Sequence, residues 1–368
     1  MSLGVTHFGP YPPTIGGVAV HVRRLHHRLL ASGHHSEVVA GPELAARSEC
    51  GVRQAKKIRY ALEWLRYPGF PVTTPIIHCH DPWMWRGAVM ARHRLQGRRL
   101  VISVHNQQDP ERWAQTDFHR RLGCRLLLRS KLVWWVAVNE AIQCQLIRRG
   151  AAPARVRVIS PYIPPGPEAM TGGELPAALR AFLASRSPVL SVYGCRYDMD
   201  RGVDLYGFDL AIEAVGRLRS EFPSVGLVLV VPNPLPADYH ERLTARVDAM
   251  GCGPHVLFVT RGLEDASRLW AGSRLYLRPT TTDGDSLAVH EALDLGVPVI
   301  ASDAAPRPPG CLLFRSRDLD SFVAGIRHGL AGGTAASAGR PGSGASALLP
   351  YTSLYREVLG LPPGPCDR

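Results

Sequence analysis

Short runs of β-branched and aliphatic residues alternate with longer amphipathic stretches along the chain, the pattern of βα units building a parallel sheet. In the first half it predicts strands near residues 2–8, 36–40, 75–79, 99–104, 133–138 and 155–159. Helices are predicted between them near 18–32, 83–95, 115–130 and 139–149, with Gly33 and Gly150 as C-terminal stops. The run PYIPPGP, residues 161–167, breaks regular structure as an interdomain linker does. From Pro188 the alternation restarts, with strands at 189–194, 225–231, 255–259, 274–278 and 297–302. Helices near 207–221, 237–250, 263–271, 286–295 and 317–330 fall between and after them. The expectation is an α/β protein of two doubly wound, parallel-sheet domains, an N-terminal one over 1–165 and a C-terminal one over 188–331. A linker region over 166–187 joins them, and residues 332–368 hold a low-complexity stretch (332–346) and a closing helix near 351–359. Sheets of this kind bind ligands beyond the carboxyl ends of their strands, so function is sought in a cleft there.

Composition narrows the class without naming a chemistry. With 368 residues, 45% hydrophobic and 20% charged, the chain suits two packed domains and excludes wholesale disorder. Its longest apolar runs are strand-length, so no membrane span is predicted. Residues 1–10 lack the basic and apolar regions of a signal peptide, and the eight cysteines include no C-x-x-C pair. A cytoplasmic protein with reduced thiols is expected.

Charge is more informative when divided. Residues 1–165 hold 24 Lys+Arg against 9 Asp+Glu, whereas residues 166–368 hold 19 against 22, so the whole excess of +12 comes from the N-terminal half. Arginine in place of lysine fits GC-rich coding, but coding bias does not explain the asymmetry. Such a field favours an anionic partner: acidic lipid at the inner face of a cell membrane, a phosphorylated or lipid-linked acceptor, or nucleic acid. No helix-turn-helix, zinc-finger or aromatic RNA-binding pattern occurs, so specific nucleic-acid binding is not expected.

The densest chemistry lies in RPTTTDGDSLAVHEALDLGVPVIASD, residues 278–303. A strand leads to a polar turn containing Asp283, and Asp285 or Ser286 then starts a helix that carries Glu291. Backbone N–H groups at Ser286 and Leu287, with the helix dipole, make an anion site suited to a diphosphate. Glu291, about one and a half turns on, can accept hydrogen bonds from a neighbouring sugar diol. Near the N-terminus, Gly16 and Gly17 follow a strand and a Pro-rich turn and precede a helix, where backbone can approach a ligand. No G-x-G-x-x-G follows the first strand, so a nicotinamide site is not indicated. A third loop, SVYGCRYDMDRG, contributes Arg196 and Arg201, each able to neutralise a diphosphate. His105 closes the strand VISVHN. Read singly, each residue also has a bland role as helix cap, surface charge or packed histidine.

Taken together, Asp283, seven residues, Glu291, Ala292, then Gly296, Pro298, Val299 and Ile300 resemble the donor-site signature of the retaining GT-B glycosyltransferases of family four, the glycosyl transferases group 1. Pro12-Pro13, Gly16-Gly17, His21 and Gly33-His34 resemble the same family's N-terminal signature. The resemblance implies a GT-B fold of two Rossmann-like domains and transfer of a sugar from a UDP- or GDP-sugar to an acceptor hydroxyl, as in surface polysaccharide synthesis. It implies that Glu291 binds the nucleotide ribose, that Asp283 and His105 address the transferred sugar, and that Arg196 and Arg201 meet the diphosphate. Asp283 stands where the family usually has Glu, Cys195 separates Gly194 from Arg196, and Arg201 replaces a usual Lys. A transferase acting on a small soluble metabolite and a nucleotide-sugar epimerase of similar fold are the competing readings. Neighbouring histidines such as His78 and His80, His26 and His27, or His34 and His35 lack ligand spacing, so neither metal nor cofactor is predicted.

Overall fold

The computed structural model describes residues 2–12, 16–40, 51–54, 72–80, 97–114, 118–166, 174–195, 197–232, 236–263, 266–333 and 344–364. The helix expected near 83–95 lies outside them. The chain divides into two compact units: residues 1–164 with 342–368, and residues 165–341.

Unit 1 starts with β1 (Gly4–Phe8), α1 (Gly17–Ala31), β2 (His35–Ala40), β3 (Val52–Gln54), β4 (Ile76–Cys79) and β5 (Arg99–Val104). It continues with α2 (Asp109–Ala114), α3 (Phe118–Arg129), β6 (Val133–Ala137), α4 (Glu140–Arg148) and β7 (Val156–Val158). The sheet runs β3-β2-β1-β4-β5-β6-β7 with every pair parallel. α1 forms because Ala19, Val22, Leu25, His26 and Leu29 recur at helical spacing and bury one stripe.

Unit 2 holds α5 (Ala177–Ser185), β8 (Val189–Tyr193), β9 (Met199–Asp200), β10 (Val203–Asp204), α6 (Phe208–Leu218), β11 (Gly226–Val230), α7 (Ala237–Ala249) and β12 (Val256–Val259). Then come α8 (Ser267–Ala271), β13 (Leu275–Arg278), α9 (Leu287–Asp294), β14 (Val299–Ser302), β15 (Cys311–Phe314) and α10 (Leu319–Leu330). Its parallel sheet runs β12-β11-β8-β13-β14-β15. In each unit the order reverses beside the first strand, between β1 and β4 and between β8 and β13, which is the Rossmann switch point where ligands bind. Buried residues pack both faces of this sheet, with α6, α7 and α10 on one side and α5, α8 and α9 on the other.

The last helix, α11 (Gly344–Leu359), returns to unit 1. Leu348, Tyr351, Leu354, Tyr355 and Val358 bury against Leu3, Val5, Leu25, Leu29 and Ile76. It begins earlier than the closing helix expected near 351–359 and takes in residues assigned to the low-complexity stretch. α5 likewise occupies part of the expected linker, where Leu179 anchors it in the unit 2 core. The short strands β3 and β15 and the β9–β10 hairpin were not predicted; runs of two to four residues give too little periodicity to register.

Candidate active site

At the switch point of unit 2, β13 ends on Arg278 and the loop 279–286 leads into α9. Ser286 is the N-cap residue, but its side chain makes no capping bond. Asp285, the other capping candidate, turns its Oδ1 to His290 Nε2 at 2.6 Å. The first helix-start bonds run from Val289 and His290 N–H to Ser286 O, and among the described residues the N–H groups of Ser286, Leu287 and Ala288 find no protein acceptor. Three donors and the positive end of the helix dipole therefore face outward, the arrangement that receives an anion.

Glu291 sits on the second turn of this helix, half-buried. The indole N–H of Trp270 donates to its Oε2 at 3.3 Å. Trp270 is itself wholly buried against Tyr276, with ring centroids 4.5 Å apart. A packed indole thus orients the carboxylate, so Glu291 is not the solvated surface acid of the bland reading.

Asp283 is occupied differently from the sequence expectation. Arg278 grips it bidentately, Nε to Oδ2 at 2.8 Å and Nη2 to Oδ1 at 3.0 Å, while Arg307 Nη1 donates to Oδ2 at 2.7 Å. Gly284 N–H adds a bond to Oδ1 at 3.1 Å, and the Thr280 hydroxyl lies 3.4 Å from Oδ2. A carboxylate offers about four lone-pair sites, so none is left over for a sugar hydroxyl. Burial pushes its pKa up, but the Arg278 and Arg307 charges outweigh burial and hold the carboxyl well below the usual range. Arg278 also donates to Tyr193 O at 2.9 Å, and Arg307 bonds Ser302 O at 3.0 Å and Thr280 Oγ1 at 2.8 Å. In this arrangement the acid ties the ends of β8, β13 and β14 to the loop that aims α9. The sequence reading missed Arg278, Arg307 and Trp270. Only Arg278 left a signal, as an arginine closing a buried apolar strand.

Arg201 lies at the tip of the β9–β10 hairpin, where it and Gly202 have φ of 51° and 83°. Two positive-φ residues are what a tight hairpin turn demands. Its side chain is exposed, and among the described residues it makes no hydrogen bond or ion pair with another candidate residue. Arg196 lies outside the described residues.

In unit 1, Gly16 precedes α1 with φ of 149°, and a Cβ built there would meet nothing within 4 Å. Conformation rather than crowding calls for glycine, and the open space leaves the helix start and Gly17 approachable. No acid lies in the first turn of α1. His105 follows β5 and joins His7, His21, His78 and His80 in a buried imidazole cluster that spacing along the chain had concealed. His80 links His7 (3.1 Å) to His105 (3.4 Å), while His21 Nδ1–H donates to Pro161 O at 2.7 Å. The ring nitrogens of His7, His78 and His80, and of His21, His80 and His105, fall within 4.8 Å of one another, the residues that could hold a cation. Both nitrogens of His78 are already engaged, with Tyr355 and Ser103 at 2.7 Å. Burial above all lowers the pKa of all five rings, His21 to about 4 although its bond to Pro161 O acts the other way, so the cluster is neutral at pH 7.

Two family models match, Glycosyltransferase Family 4 over residues 15–166 and Glycosyl transferases group 1 over residues 201–331. The chain belongs to the group 1, GT-B glycosyltransferases. No curated protein sequence matches this glycosyltransferase. Solved structures share its fold: sucrose-phosphate synthase from Thermosynechococcus elongatus superimposes with a TM-score of 0.71 at 19% identity, covering 97% of this chain and 99% of that one. HepE of Anabaena, in complex with UDP and glucose, gives 0.68 at 15% identity over 96% of this chain and 100% of its own. WaaG, a glycosyltransferase involved in lipopolysaccharide biosynthesis, gives 0.63 at 15% over 96% and 94%. A depression of about 380 Å³ lined in part by Arg186, Pro188 and Arg274 lies at the amino ends of β8 and β13. It is at the other end of those strands from the glycosyltransferase's candidate residues.

Proposed function

We propose that the protein moves a sugar, with retention, from a UDP- or GDP-sugar to an acceptor hydroxyl. The observation that carries this reading is the uncapped start of α9 at the switch point, with the Trp270-held Glu291 one to two turns along the same helix. The three outward N–H groups take the diphosphate and Glu291 takes the ribose diol. HepE structures with UDP and with UDP-glucose support a uridine donor. The leaving diphosphate removes the acceptor proton on the face from which it departs, so no protein nucleophile is required. Positive charge at the helix start, with Arg196 and Arg201, stabilises the leaving group. The reading calls on no metal or organic cofactor.

The excess positive charge of residues 1–165 favours an anionic acceptor, such as a lipid-linked diphosphate sugar of surface polysaccharide synthesis. Activity toward a neutral soluble acceptor that does not change with salt overturns this choice, and acceptor-independent conversion of the nucleotide sugar would point to an epimerase.

Calorimetry with UDP, GDP, ADP and CMP tests the donor site. One nucleoside diphosphate is expected to bind, with Glu291→Ala weakening it about 10–100-fold, the worth of hydrogen bonds to a charged group. Trp270→Phe, which keeps a packed ring but loses the N–H, is expected to weaken it about fivefold. Failure of every nucleotide to bind, or unchanged affinity in folded Glu291→Ala, refutes the assignment.

A further inference from the structure

Three histidines distant in sequence bring ring nitrogens together at the switch point of the unit 1 sheet. His21 lies in the second turn of α1, His80 directly follows β4 and His105 directly follows β5. One nitrogen from each falls within 4.8 Å of the other two. His80 Nδ1 and His105 Nε2 are 3.4 Å apart. The His21 ring centroid lies 5.2 Å from that of His80 and 5.4 Å from that of His105. His21 and His80 are 1% and 2% exposed, while half-buried His105 gives the group an edge open to solvent. Among the described residues the group contains no carboxylate or thiolate.

Hydrogen bonding decides which of these nitrogens keep a lone pair. His21 Nδ1–H donates to Pro161 O at 2.7 Å, so in the neutral ring Nε2 carries the lone pair. The Tyr351 hydroxyl is 3.5 Å from that Nε2 but nearer to Ser160 O, at 3.3 Å. His80 Nε2 lies 3.1 Å from His7 Nδ1, to which it can donate its proton while Nδ1 keeps a lone pair. We propose that His21 Nε2, His80 Nδ1 and His105 Nε2 bind one divalent transition-metal ion of the zinc class. Zinc–nitrogen bonds of about 2.0–2.1 Å set tetrahedral ligand nitrogens roughly 3.3–3.4 Å apart, the spacing present between His80 and His105. A metal-bound imidazole is oriented by a partner that holds its outer N–H, and Pro161 O and His7 supply that partner for His21 and His80. Three imidazoles without a carboxylate suit zinc, copper or nickel and not calcium or magnesium. Burial keeps the rings neutral at pH 7, so protons do not compete for the lone pairs. The neighbouring trio of His7, His78 and His80 is not equivalent, because Tyr355 and Ser103 hold both His78 nitrogens at 2.7 Å. Three protein ligands leave a fourth position for water or an oxygen of a bound molecule.

This site lies within unit 1 and does not depend on the donor reading at α9, so the two are tested separately. The full chain, stripped with a chelator, is titrated with zinc against a chromophoric competitor, and with cobalt, whose visible absorption reports tetrahedral coordination. One ion per chain is expected to bind, with a Kd tighter than about 1 μM. His105→Gln, at the open edge, and His21→Gln are each expected to weaken it at least about 100-fold, beyond what loss of an outer partner costs. His35→Ala, at an exposed histidine of the same unit, is expected to leave it unchanged. Circular dichroism checks the fold of each variant. Nitrogen NMR of the parent needs no variant: zinc is expected to move the His21 Nε2 resonance while Nδ1 stays protonated. Zinc is also expected to raise the unfolding temperature of unit 1, because only the folded unit brings the three rings together. Calorimetry with UDP on the same samples reports the donor site, so failure of one reading leaves the other standing. Zinc binding weaker than about 1 μM overturns the proposal. So does unchanged affinity in folded His105→Gln, or a His21 resonance that zinc does not move; the cluster is then a hydrogen-bonded chain of neutral rings.

Discussion

A chain ending at Pro341 is expected to lose the fold of unit 1 while unit 2 remains folded. Helix α11 contributes Leu348, Tyr351, Leu354, Tyr355 and Val358, all at most 5% exposed, to a core shared with β1, α1 and β4. Burying a large apolar side chain is worth roughly 1.5–3 kcal/mol, so five amount to about 10 kcal/mol, which is comparable to the whole stability of a domain. Removal also takes away the Tyr355 hydroxyl from His78 Nδ1 and uncovers Leu25 and Leu29. The two main core clusters of unit 2 contain no residue of this helix. Hydrogen exchange read by peptide separates the units: amides of β1 and β4 should exchange like an unfolded chain, those of β11 and β13 as in the parent. Retained protection in β1 would show that the helix is dispensable.

Asp283→Ala is expected to destabilise unit 2 by about 3–5 kcal/mol, because it leaves two guanidiniums buried without their shared partner. The Arg278 and Arg307 side chains are 10% and 2% exposed, so water cannot replace the carboxylate without opening the loop. The damage should appear as faster exchange in β13 and the start of α9, with β1 and β4 unaffected. A shift of only a few tenths of a kcal/mol would mean that the cluster is not the anchor of this loop. The pH dependence follows from the sign of the shift. A carboxylate whose folded pKa is depressed contributes fully above its unfolded value near 3.9 and loses that contribution as pH falls through this value toward the folded one. This group therefore adds no pH dependence between about 5 and 8 and acid sensitivity below about 4.

Much of the fold could be read from period alone. β6 and β11 are continuous apolar runs, β5 and β8 are each interrupted inside by one serine, and α1 and α6 carry regular buried stripes, so local pattern and final structure agree. α5 went unseen because Pro- and Gly-rich sequence precedes it, and its place depends on one buried leucine and a few partly buried neighbours. The candidate donor site was legible in type. The turn, helix start and Glu291 stand in one contiguous string, and strand-to-helix geometry follows from such a string.

Residue pattern and composition were enough for two doubly wound α/β domains, the helix start that can receive an anion, the position of Glu291 and the one-sided positive charge. These are local or additive properties, fixed by residues near one another in the chain or by simple counting. Only the tertiary structure decided that α11 belongs to the first unit and that five histidines from three strand ends and a helix share one cluster. It alone gave Asp283 to Arg278 and Arg307 and Glu291 to Trp270. Arg307 lies 24 residues from Asp283. Parallel βα packing sets which distant side chains meet at the strand ends, and that crossover geometry leaves no periodic trace in the residues it brings together.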